Sequence, residues 1–576
     1  MRLIQAMALA ACAAVLAAPG ASSRAQSQPA PLSLTESAGR CAALPSLMSG
    51  AWPDASTRVV SAAFDPGGAQ PSGDPAPPNC DLVGVMHQRQ GADGKAYAIR
   101  FHVRLPATWN GRFLFQGGGG SDGELGDARG PVWTGAPDAL SRGFAVVSQD
   151  AGHDNARDSD PARGGATAFG FDPQARVDYG YAALRPVAEA AKAVVAKYYG
   201  AAPRYSYFVG CSKGGQEGLQ FAERYPDVFD GIVAAAPGLS LPRAALAEAW
   251  DTQTYAALAG PNPDAAKLAG VFSDADLALV AQAVLAACDA DDGLRDGIVA
   301  DMARCTLQRV HPQLVARTCT GAGQSGCLRP EQVAALERAM AGPRDSQGRA
   351  LYASWPWDPG LATPGWRIWK VGLAQARPPA LNVSLGAAAL ASIFTTPPRP
   401  IAADPSALLA FDLGFDFDRD APAIYARGGA FAHSGWQDIS ARADDLSAFQ
   451  ARGGKLIIPQ GAADPVFSIE DTLAWWRAVD ARAHGHASDF VRVFPVPGMN
   501  HCGGGPATDR FDALASLMVW VEHGQAPAQI IAAAGPGTPW PNRTRPLCAF
   551  PAVARYRGAG DPEKAENFSC VASKAQ

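Results

Sequence analysis

Short apolar segments alternate with stretches of helical periodicity over the first part of the chain. Apolar strands are predicted at residues 96–104, 112–116, 144–148, 205–209 and 231–236. Helices are predicted at residues 181–199 and 215–225, where apolar positions recur at helical spacing and Gly200 and Pro226 mark the ends. Strands that alternate with helices favour a mostly parallel sheet with helices on its faces.

This alternation stops near residue 239 and resumes near residue 441. In between, long alanine-rich helical stretches alternate with loops rich in Cys, Pro and Trp. The later elements are a predicted helix at residues 444–450 and predicted strands at 455–459 and 490–496. The pattern therefore predicts an α/β core, formed by residues 26–238 and 441–576, which is interrupted by a large lid domain of residues 239–440.

The N-terminus has the pattern of a secretory signal peptide. A positive Met1-Arg2 pair precedes an apolar run from Leu3 to Ala18, and small residues follow. The run is too short for a transmembrane span. We therefore predict a signal peptide over residues 1–25 and a secreted or periplasmic protein. The alternative is a lipid tether on Cys12, because residues 9–12 resemble a lipoprotein processing box.

The charge balance excludes two classes of partner. The formal net charge is −5, and charged residues make up only 18% of the chain. Such a composition provides neither a basic field for nucleic acid nor a polybasic face for an anionic membrane. A membrane span is not expected either, and the sequence makes no prediction of an oligomeric state.

Cysteine usage supports export. Beyond Cys12 the chain contains Cys41, Cys80, Cys211, Cys288, Cys305, Cys319, Cys327, Cys502, Cys548 and Cys570. An even number of cysteines in an exported chain indicates five disulfides. Pairing neighbours along the chain gives Cys41–Cys80, Cys288–Cys305, Cys319–Cys327 and Cys548–Cys570. Cys211 and Cys502 then remain to bond to each other; the alternative is that some cysteines stay as buried thiols.

A candidate nucleophile lies between a predicted strand and a predicted helix. Residues 210–214 read Gly-Cys-Ser-Lys-Gly and match the G-x-S-x-G pattern. That pattern forms a tight turn that exposes the serine above the sheet, and its glycines leave room for backbone and substrate. The helix that follows directs its N-terminal amides toward a developing oxyanion. Ser212 is therefore the candidate nucleophile of an α/β-hydrolase core.

The expected acid and base follow the serine in the order that this fold requires. Asp464 comes directly after the strand predicted at 455–459, and His501 comes after the strand predicted at 490–496. Both lie in loops at the carboxyl ends of strands, where a hydrolase triad converges. His153 is a weaker rival for the base, and for Asp464 the alternative is a purely turn-stabilising role before Pro465.

The two cysteines that remain after neighbours are paired lie next to two residues of this candidate triad. Cys211 directly precedes Ser212, and Cys502 directly follows His501. A Cys211–Cys502 disulfide would therefore join the nucleophile loop to the histidine loop. We expect such a bond to fix the distance between serine and histidine on which proton transfer depends.

These motifs carry a family resemblance. Cys-Ser-x-Gly-Gly, a distal Asp and His-Cys together resemble the tannase and feruloyl esterase family over nearly the whole chain from Cys41 to Cys570. The resemblance implies an α/β-hydrolase core, a large lid and hydrolysis of esters of aromatic acids. It assigns the family triad to Ser212, Asp464 and His501. It also places Phe467 where the family has an aromatic side chain against the bound ring.

The family resemblance also implies a structural Ca²⁺ site in the lid. Residues 288–298 contain several carboxylates with glycines at the tight turns. The matching ligands are the side chains of Asp289, Asp292 and Asp296 and the carbonyls of Leu294 and Ile298. Calcium takes six to eight oxygen ligands, which such a loop supplies in part. The alternative is an acidic loop that is hydrated by solvent and binds no ion. No organic cofactor is expected.

The oxyanion hole needs two backbone donors. The N–H of Lys213, directly after the nucleophile, is the first candidate. The second is expected from the glycine run at 117–120, at Gly118 or Gly119, where absent side chains let the backbone approach an oxyanion.

The substrate prediction is a feruloyl or galloyl ester, cleaved through an acyl-enzyme. A distal carboxylate, as in mono(2-hydroxyethyl) terephthalate, needs a nearby cation, and the only basic residue between Val371 and Pro398 is Arg377. Hydrolysis of that monoester is the alternative.

Four tryptophans of the lid are candidates either for the acyl pocket or for the lid core: Trp355, Trp357, Trp366 and Trp369. A calcium-stabilised binding protein with an inactive triad is the more distant alternative.

Overall fold

A computed structural model describes residues 31–69, 75–132, 135–321, 324–373 and 379–573. The predicted signal peptide, the predicted lipid tether at Cys12 and the basic residue Arg377 lie outside the described residues.

Nine strands form one twisted sheet. They are β1 (Arg58–Asp65), β2 (Asn79–Gln90), β3 (Ala96–Pro106), β4 (Arg112–Gln116), β5 (Ala145–Gln149), β6 (Tyr205–Cys211), β7 (Gly231–Ala235), β8 (Lys455–Gly461) and β9 (Val491–Val496). Their order is β1-β2-β3-β5-β4-β6-β7-β8-β9. The pairs from β5 through β9 are parallel, whereas β1, β2, β3 and β5 pair antiparallel. The predicted α/β fold with a mostly parallel sheet is confirmed.

Two small antiparallel hairpins lie near the C-terminus. The first pairs β10 (Gln529–Ala533) with β11 (Thr544–Cys548), and the second pairs β12 (Ala552–Tyr556) with β13 (Phe568–Ala572). These four strands were not predicted from the sequence.

The α-helices pack on the sheet and make up much of the segment between β7 and β8. They are α1 (Leu34–Met48), α2 (Asn155–Asp158), α3 (Pro173–Val177), α4 (Leu184–Tyr199), α5 (Lys213–Arg224), α6 (Leu241–Ala256), α7 (Ala265–Ala269), α8 (Asp274–Cys288), α9 (Leu307–Val315), α10 (Pro330–Met340), α11 (Pro364–Lys370), α12 (Pro405–Gly414), α13 (Gly435–Ile439), α14 (Ser447–Ala451), α15 (Ile469–Arg482) and α16 (Ala513–His523). Segments of π-helix occur at Asp178–Ala182, Asn382–Ala387 and Leu390–Phe394. None of the helices in the described part of the chain has both the length and the apolar character needed to cross a bilayer.

Alternation along the buried strands explains why helices pack on both sheet faces. In β4, Phe113 and Phe115 point into one core, together with residues of α4, α5 and α15. Leu114 points to the opposite face, into a core that contains residues of α16. Successive strand residues face opposite sides, so an uninterrupted apolar run requires cover on both. Each such phenylalanine contributes roughly 1.5–3 kcal/mol by its burial.

The segment between β7 and β8 contains the predicted lid domain. Its described residues form helices α6 to α14 and short 3-10 and π segments, without a named strand. Apolar side chains of this segment form a separate core, which also includes Val466 and Phe467 of the β8–α15 connection. The lid therefore contacts the sheet at the carboxyl end of β8.

All five disulfides expected from the cysteine pattern are present. They are Cys41–Cys80, Cys211–Cys502, Cys288–Cys305, Cys319–Cys327 and Cys548–Cys570. The alternative of buried free thiols is wrong for these ten cysteines. Five disulfides are typical of a protein that matures in an oxidising compartment.

Candidate functional site

Ser212 lies at a sharp turn between β6 and α5. Its backbone has φ +65° and ψ −122°, a conformation that L-residues rarely adopt. The turn leaves no space for side chains beside the serine: a Cβ at Gly210 would lie 2.4 Å from the carbonyl oxygen of Gly214. The glycines of the G-x-S-x-G motif therefore permit the turn that exposes the serine hydroxyl.

The structure brings the three predicted triad residues together. The Oγ of Ser212 lies 2.8 Å from Nε2 of His501, and Nδ1 of His501 lies 3.0 Å from Oδ2 of Asp464. Asp464 is 1% exposed. In the neutral tautomer, the hydroxyl donates to Nε2 while Nδ1–H donates to the carboxylate, which is the arrangement that general-base activation of a serine requires.

Further hydrogen bonds hold the Asp464 side chain in place. Its Oδ1 accepts from the backbone N–H groups of Val466 at 2.8 Å and Phe467 at 3.1 Å. The indole N–H of Trp355, from the lid, donates to the Asp464 carbonyl at 3.1 Å. The backbone of its own turn therefore orients the carboxylate. The hydrogen bond from Trp355 of the lid in addition holds the turn in place.

The Cys211–Cys502 disulfide joins the loops that carry Ser212 and His501. The two Cα atoms lie 6.1 Å apart, although the residues are separated by 291 positions. Each cysteine is the peptide neighbour of a residue in the hydrogen-bonded chain. The bond therefore limits how far the two loops can separate.

A buried charge cluster lies directly behind the nucleophile. The ammonium of Lys213 is 3.1 Å from Asp122 and 3.0 Å from Glu217, and all three side chains are buried. Burial raises the pKa of Asp122 to about 7, with Lys213 opposing the shift and Glu217 adding to it. Burial alone would lower the pKa of Lys213, but the two carboxyls outweigh it and raise that pKa.

This cluster was not predicted, although the sequence contains one signal for it. Lys213 and Glu217 stand at an i, i+4 spacing, so that their side chains share one face of α5. Asp122 follows the glycine run and reaches the cluster only because that loop folds over α5, which no local pattern indicates.

The glycine loop binds to the same cluster through its amides. The N–H of Gly118 donates to Glu217 at 2.9 Å, and the N–H of Gly119 donates to Asp122 at 2.8 Å. Either amide would have to leave its carboxylate before it could donate to an oxyanion, so its oxyanion role stays a prediction. The N–H of Lys213 is in the first turn of α5, where a helix supplies no acceptor.

A narrow, largely apolar cavity opens at Ser212. Its apolar wall includes Leu241, Ala244, Ala245, Ala389, Ile393, Phe394 and Val466. The rings of Phe467 and Trp369 also line it, with their centroids 5.3 Å and 5.7 Å from that of His501. The structure thus places Phe467 beside His501. Its contact with a bound ring, which the family resemblance implies, stays a prediction. The cavity, which we call the acyl pocket, suits a flat apolar group next to the serine.

The four lid tryptophans have different roles. Trp369 lines the acyl pocket. Trp366 is 3% exposed in the lid core, with its ring 6.1 Å from that of Tyr255. Trp355 and Trp357 belong to the same lid core and also line a second cavity. Of the two possibilities left open for these residues, pocket lining therefore applies to Trp369.

Glu248 is a polar residue of the acyl pocket that the sequence analysis missed. It belongs to α6, lines the cavity and is 7% exposed. Burial raises its pKa to about 8; Lys370 opposes the shift and Asp251 adds to it. An acidic residue within an alanine-rich helix gave no signal that it would face a cavity.

The rival histidine is part of the core. The ring of His153 stacks on Phe169 with 3.8 Å between centroids, and the residue is 1% exposed. Burial lowers the pKa of His153 to about 3. A base must reach the serine hydroxyl, and in this structure His501 does so.

The acidic loop predicted to bind calcium brings its carboxyls near one another. Burial raises the pKa of Asp292 to about 7, and repulsion from Asp296 and Asp289 adds to the shift. Asp296 forms ion pairs with Arg543 and Arg545. Among the described residues, no three His, Cys, Asp or Glu side chains are arranged to hold a metal ion. The carboxyl and carbonyl oxygens are donors that suit calcium, and the site stays a prediction.

A family profile and a related protein each match most of the chain. The profile of a family described as tannase and feruloyl esterase matches residues 80–571. Mono(2-hydroxyethyl) terephthalate hydrolase of Piscinibacter sakaiensis is 44% identical over 545 residues, which cover 90% of this chain and 89% of that protein.

Solved structures share the fold. The crystal structure of feruloyl esterase B from Aspergillus oryzae has a TM-score of 0.70 at 23% identity and covers 93% of this chain and 100% of that one. Tannin acyl hydrolase from Aspergillus niger has a TM-score of 0.65 at 20% identity, with 93% and 96% covered. Together with the family match, these findings show that the chain belongs to the tannase and feruloyl esterase family of carboxylic ester hydrolases.

Proposed function

We propose that this protein hydrolyses esters of aromatic carboxylic acids through a Ser212–His501–Asp464 triad. The observation that carries the proposal is the continuous hydrogen-bonded chain from Ser212 Oγ to Asp464 at the mouth of an apolar, aromatic-lined pocket. A flat aromatic acyl group would occupy that pocket beside Phe467 and Trp369.

The reaction proceeds in two steps. His501 takes the proton of Ser212 as its Oγ attacks the ester carbonyl, and Asp464 stabilises the imidazolium that forms. The imidazolium then gives its proton to the departing alcohol, which leaves an acyl-enzyme. Water, activated by His501, attacks the acyl-enzyme and releases the acid. The Lys213 N–H and an amide of the glycine loop are proposed as oxyanion donors.

Feruloyl and galloyl esters are the leading substrates. The apolar walls and the two aromatic rings favour a planar acyl group. The charged side chains that line the described pocket are Lys213, which is paired with Asp122 and Glu217, and Glu248. These groups suit a neutral, hydroxylated ring better than a negatively charged one.

Hydrolysis of mono(2-hydroxyethyl) terephthalate is the second candidate. It is supported by the 44% identity with the Piscinibacter sakaiensis enzyme of that name. Its distal carboxylate requires a cation in the pocket. Lys213 is already paired with two carboxyls, so the described pocket supplies no available cation for it.

A structural Ca²⁺ site in the lid is part of the proposal. The ligands are Asp289, Asp292 and Asp296 through their side chains, and Leu294 and Ile298 through their carbonyls. The proposal is supported by the position of the three aspartates in one short loop closed by the Cys288–Cys305 disulfide, where Asp289 and Asp292 are buried. The triad needs no metal for acyl transfer, and calcium would stabilise the loop.

Export to the periplasm or the medium is proposed as well. Its support is the set of five disulfides together with the signal-like pattern of residues 1–25.

A panel of esters tests the proposed activity. The purified, oxidised protein is assayed with methyl gallate, methyl ferulate, mono(2-hydroxyethyl) terephthalate and a short aliphatic ester. Preference for an aromatic acyl group supports the proposal. Turnover of the aliphatic ester alone would contradict the aromatic specificity, and failure of a fluorophosphonate to label Ser212 would contradict the assigned nucleophile.

A further inference from the structure

We propose that Glu248 is a specificity-determining residue of the acyl pocket, and that its carboxyl binds a ring hydroxyl of the acyl group in preference to a ring carboxylate. This inference rests on the proposed hydrolysis of aromatic esters. It goes further because it names the chemical class of acyl group that the pocket selects.

The backbone of the lid makes room for the Glu248 carboxyl at the pocket wall. Gly386 lies in the π-helical segment Asn382–Ala387 and also lines the pocket. A Cβ at position 386 would lie 2.2 Å from Oε2 of Glu248 and 3.1 Å from its Cδ. The absence of a side chain at Gly386 is therefore required for the observed position of the carboxyl.

The Glu248 carboxyl is available to a ligand. The pocket wall around it is formed largely by alkyl and aromatic groups. Among the described residues, no side chain pairs with Glu248 in an ion pair or a hydrogen bond, although this carboxyl is buried. A buried carboxyl without a partner costs free energy that a ligand hydroxyl can recover.

The charges behind Glu248 favour its neutral form. One turn further along α6, Asp251 is 1% exposed and forms an ion pair with Lys370. Asp251 therefore compensates the positive charge of Lys370. Asp412 of α12 is a further buried carboxyl close to Glu248. A neutral carboxylic acid can both donate to and accept from a hydroxyl.

A ring carboxylate is disfavoured at this position for the same reason. It would place a second acidic group beside Glu248 in a cavity of low polarity. Burying its negative charge without a cation to pair with it costs hydration free energy, and this cost opposes such binding. A phenolic hydroxyl is neutral, and its hydrogen bond to Glu248 replaces one that it made to water.

Matched substrates that differ by one ring group test the proposal. For the wild type, we expect kcat/KM for methyl 4-hydroxycinnamate to exceed that for methyl cinnamate by about tenfold or more. Monomethyl terephthalate should be turned over more slowly than methyl benzoate. Equal rates for the two cinnamates, or a preference for the terephthalate, would overturn the proposal.

Variants separate Glu248 from a general effect on the pocket. Glu248→Gln keeps a neutral donor and acceptor and should retain the hydroxyl preference to within about threefold. Glu248→Leu and Gly386→Ala should reduce the ratio of the two rates, methyl 4-hydroxycinnamate over methyl cinnamate, to about one. Leu385→Ala, which alters an apolar side chain of the same wall, is the control and should keep the preference. Retention of the preference in Glu248→Leu would overturn the proposal.

A binding measurement remains informative if turnover is lost. Calorimetry of the wild type and of Glu248→Leu with 4-hydroxycinnamate and with cinnamate is compared. About tenfold tighter binding of the hydroxylated acid, lost in Glu248→Leu, supports the role of Glu248 even where no ester is hydrolysed. Equal binding of both acids by the wild type overturns it. Absence of ester turnover would contradict the proposed function separately.

Discussion

Cys211 and Cys502 are bonded to each other, and each is the peptide neighbour of a residue in the hydrogen-bonded chain of the site. One covalent bond therefore fixes the separation of the loops that hold Ser212 and His501. The 2.8 Å contact between Oγ and Nε2 depends on the relative position of those loops. Proton transfer is highly sensitive to such distances.

Loss of this disulfide is expected to reduce both stability and turnover. The bond closes a loop of 291 residues, for which chain entropy gives a stabilisation of up to about 5 kcal/mol. In the Cys211→Ala/Cys502→Ala variant we expect a lower Tm and a fall in kcat of about tenfold or more, measured below the new Tm. The control is Cys319→Ala/Cys327→Ala, which opens a loop of 8 residues in the lid. An unchanged kcat in the first variant would show that the disulfide does not position the site.

Asp464→Asn is expected to lower kcat by about 10⁴-fold with little loss of stability. The amide can still accept from the Val466 N–H, so the turn should persist. It no longer stabilises the imidazolium, and its N–H₂ favours the wrong histidine tautomer. Steady-state kinetics and thermal denaturation measure the two effects. Asp445→Asn, at an exposed carboxyl paired with Arg482, is the control; a loss below tenfold in Asp464→Asn would remove Asp464 from the triad.

Calcium is expected to raise the Tm of chelator-treated protein. At a concentration of about 100 times Kd, a single site stabilises the folded state by about 2.7 kcal/mol. Asp292→Asn should abolish the rise, because it removes a proposed ligand. Asp291→Asn is the matched control: Asp291 forms an ion pair with Arg309 and is not a proposed ligand. The calcium site is wrong if neither the Tm nor calorimetry responds to calcium in the wild type.

Glu248 is expected to make the protein less stable as the pH rises. Its pKa is raised from 4.5 to about 8 in the folded protein, so the folded state keeps a proton that the unfolded chain releases above pH 4.5. Its contribution is fully present below about pH 4.5 and is lost as the pH rises to about 8, by a few kcal/mol at most. Glu248→Gln removes this dependence. Its unfolding free energy, measured by urea denaturation from pH 5 to pH 8.5, should therefore rise relative to wild type. A constant difference across that range would show that Glu248 is ionised in the fold.

The parallel strands and the three residues that meet at the candidate site could be predicted because their signals are local. Strands such as β6 are short and largely apolar, and Ser212, Asp464 and His501 each follow such a strand. Their order along the chain and the adjacent cysteines supplied the remaining information. The predicted fold class and all five cysteine pairs are confirmed.

The elements that were missed depend on contacts distant in sequence. β1 is an edge strand with mainly exposed or half-buried residues, so its pattern lacks an apolar run. The C-terminal strands are five residues each and form two hairpins outside the nine-stranded sheet. Helical periodicity in the lid predicts helical stretches that contain residues such as Trp369 and Glu248. It does not show which cavity they face, because that depends on how the lid packs on the core.

Ester hydrolysis by the wild type and Ser212→Ala, under oxidising conditions, tests the central claim most directly. The substrate is methyl ferulate or methyl gallate, whichever the wild type prefers, and both proteins are first shown to have the same Tm to within a few degrees. We predict measurable turnover by the wild type, labelling of its Ser212 by a fluorophosphonate, and the loss of both in Ser212→Ala. Turnover by Ser212→Ala at the wild-type rate would contradict the assignment of Ser212 as the nucleophile.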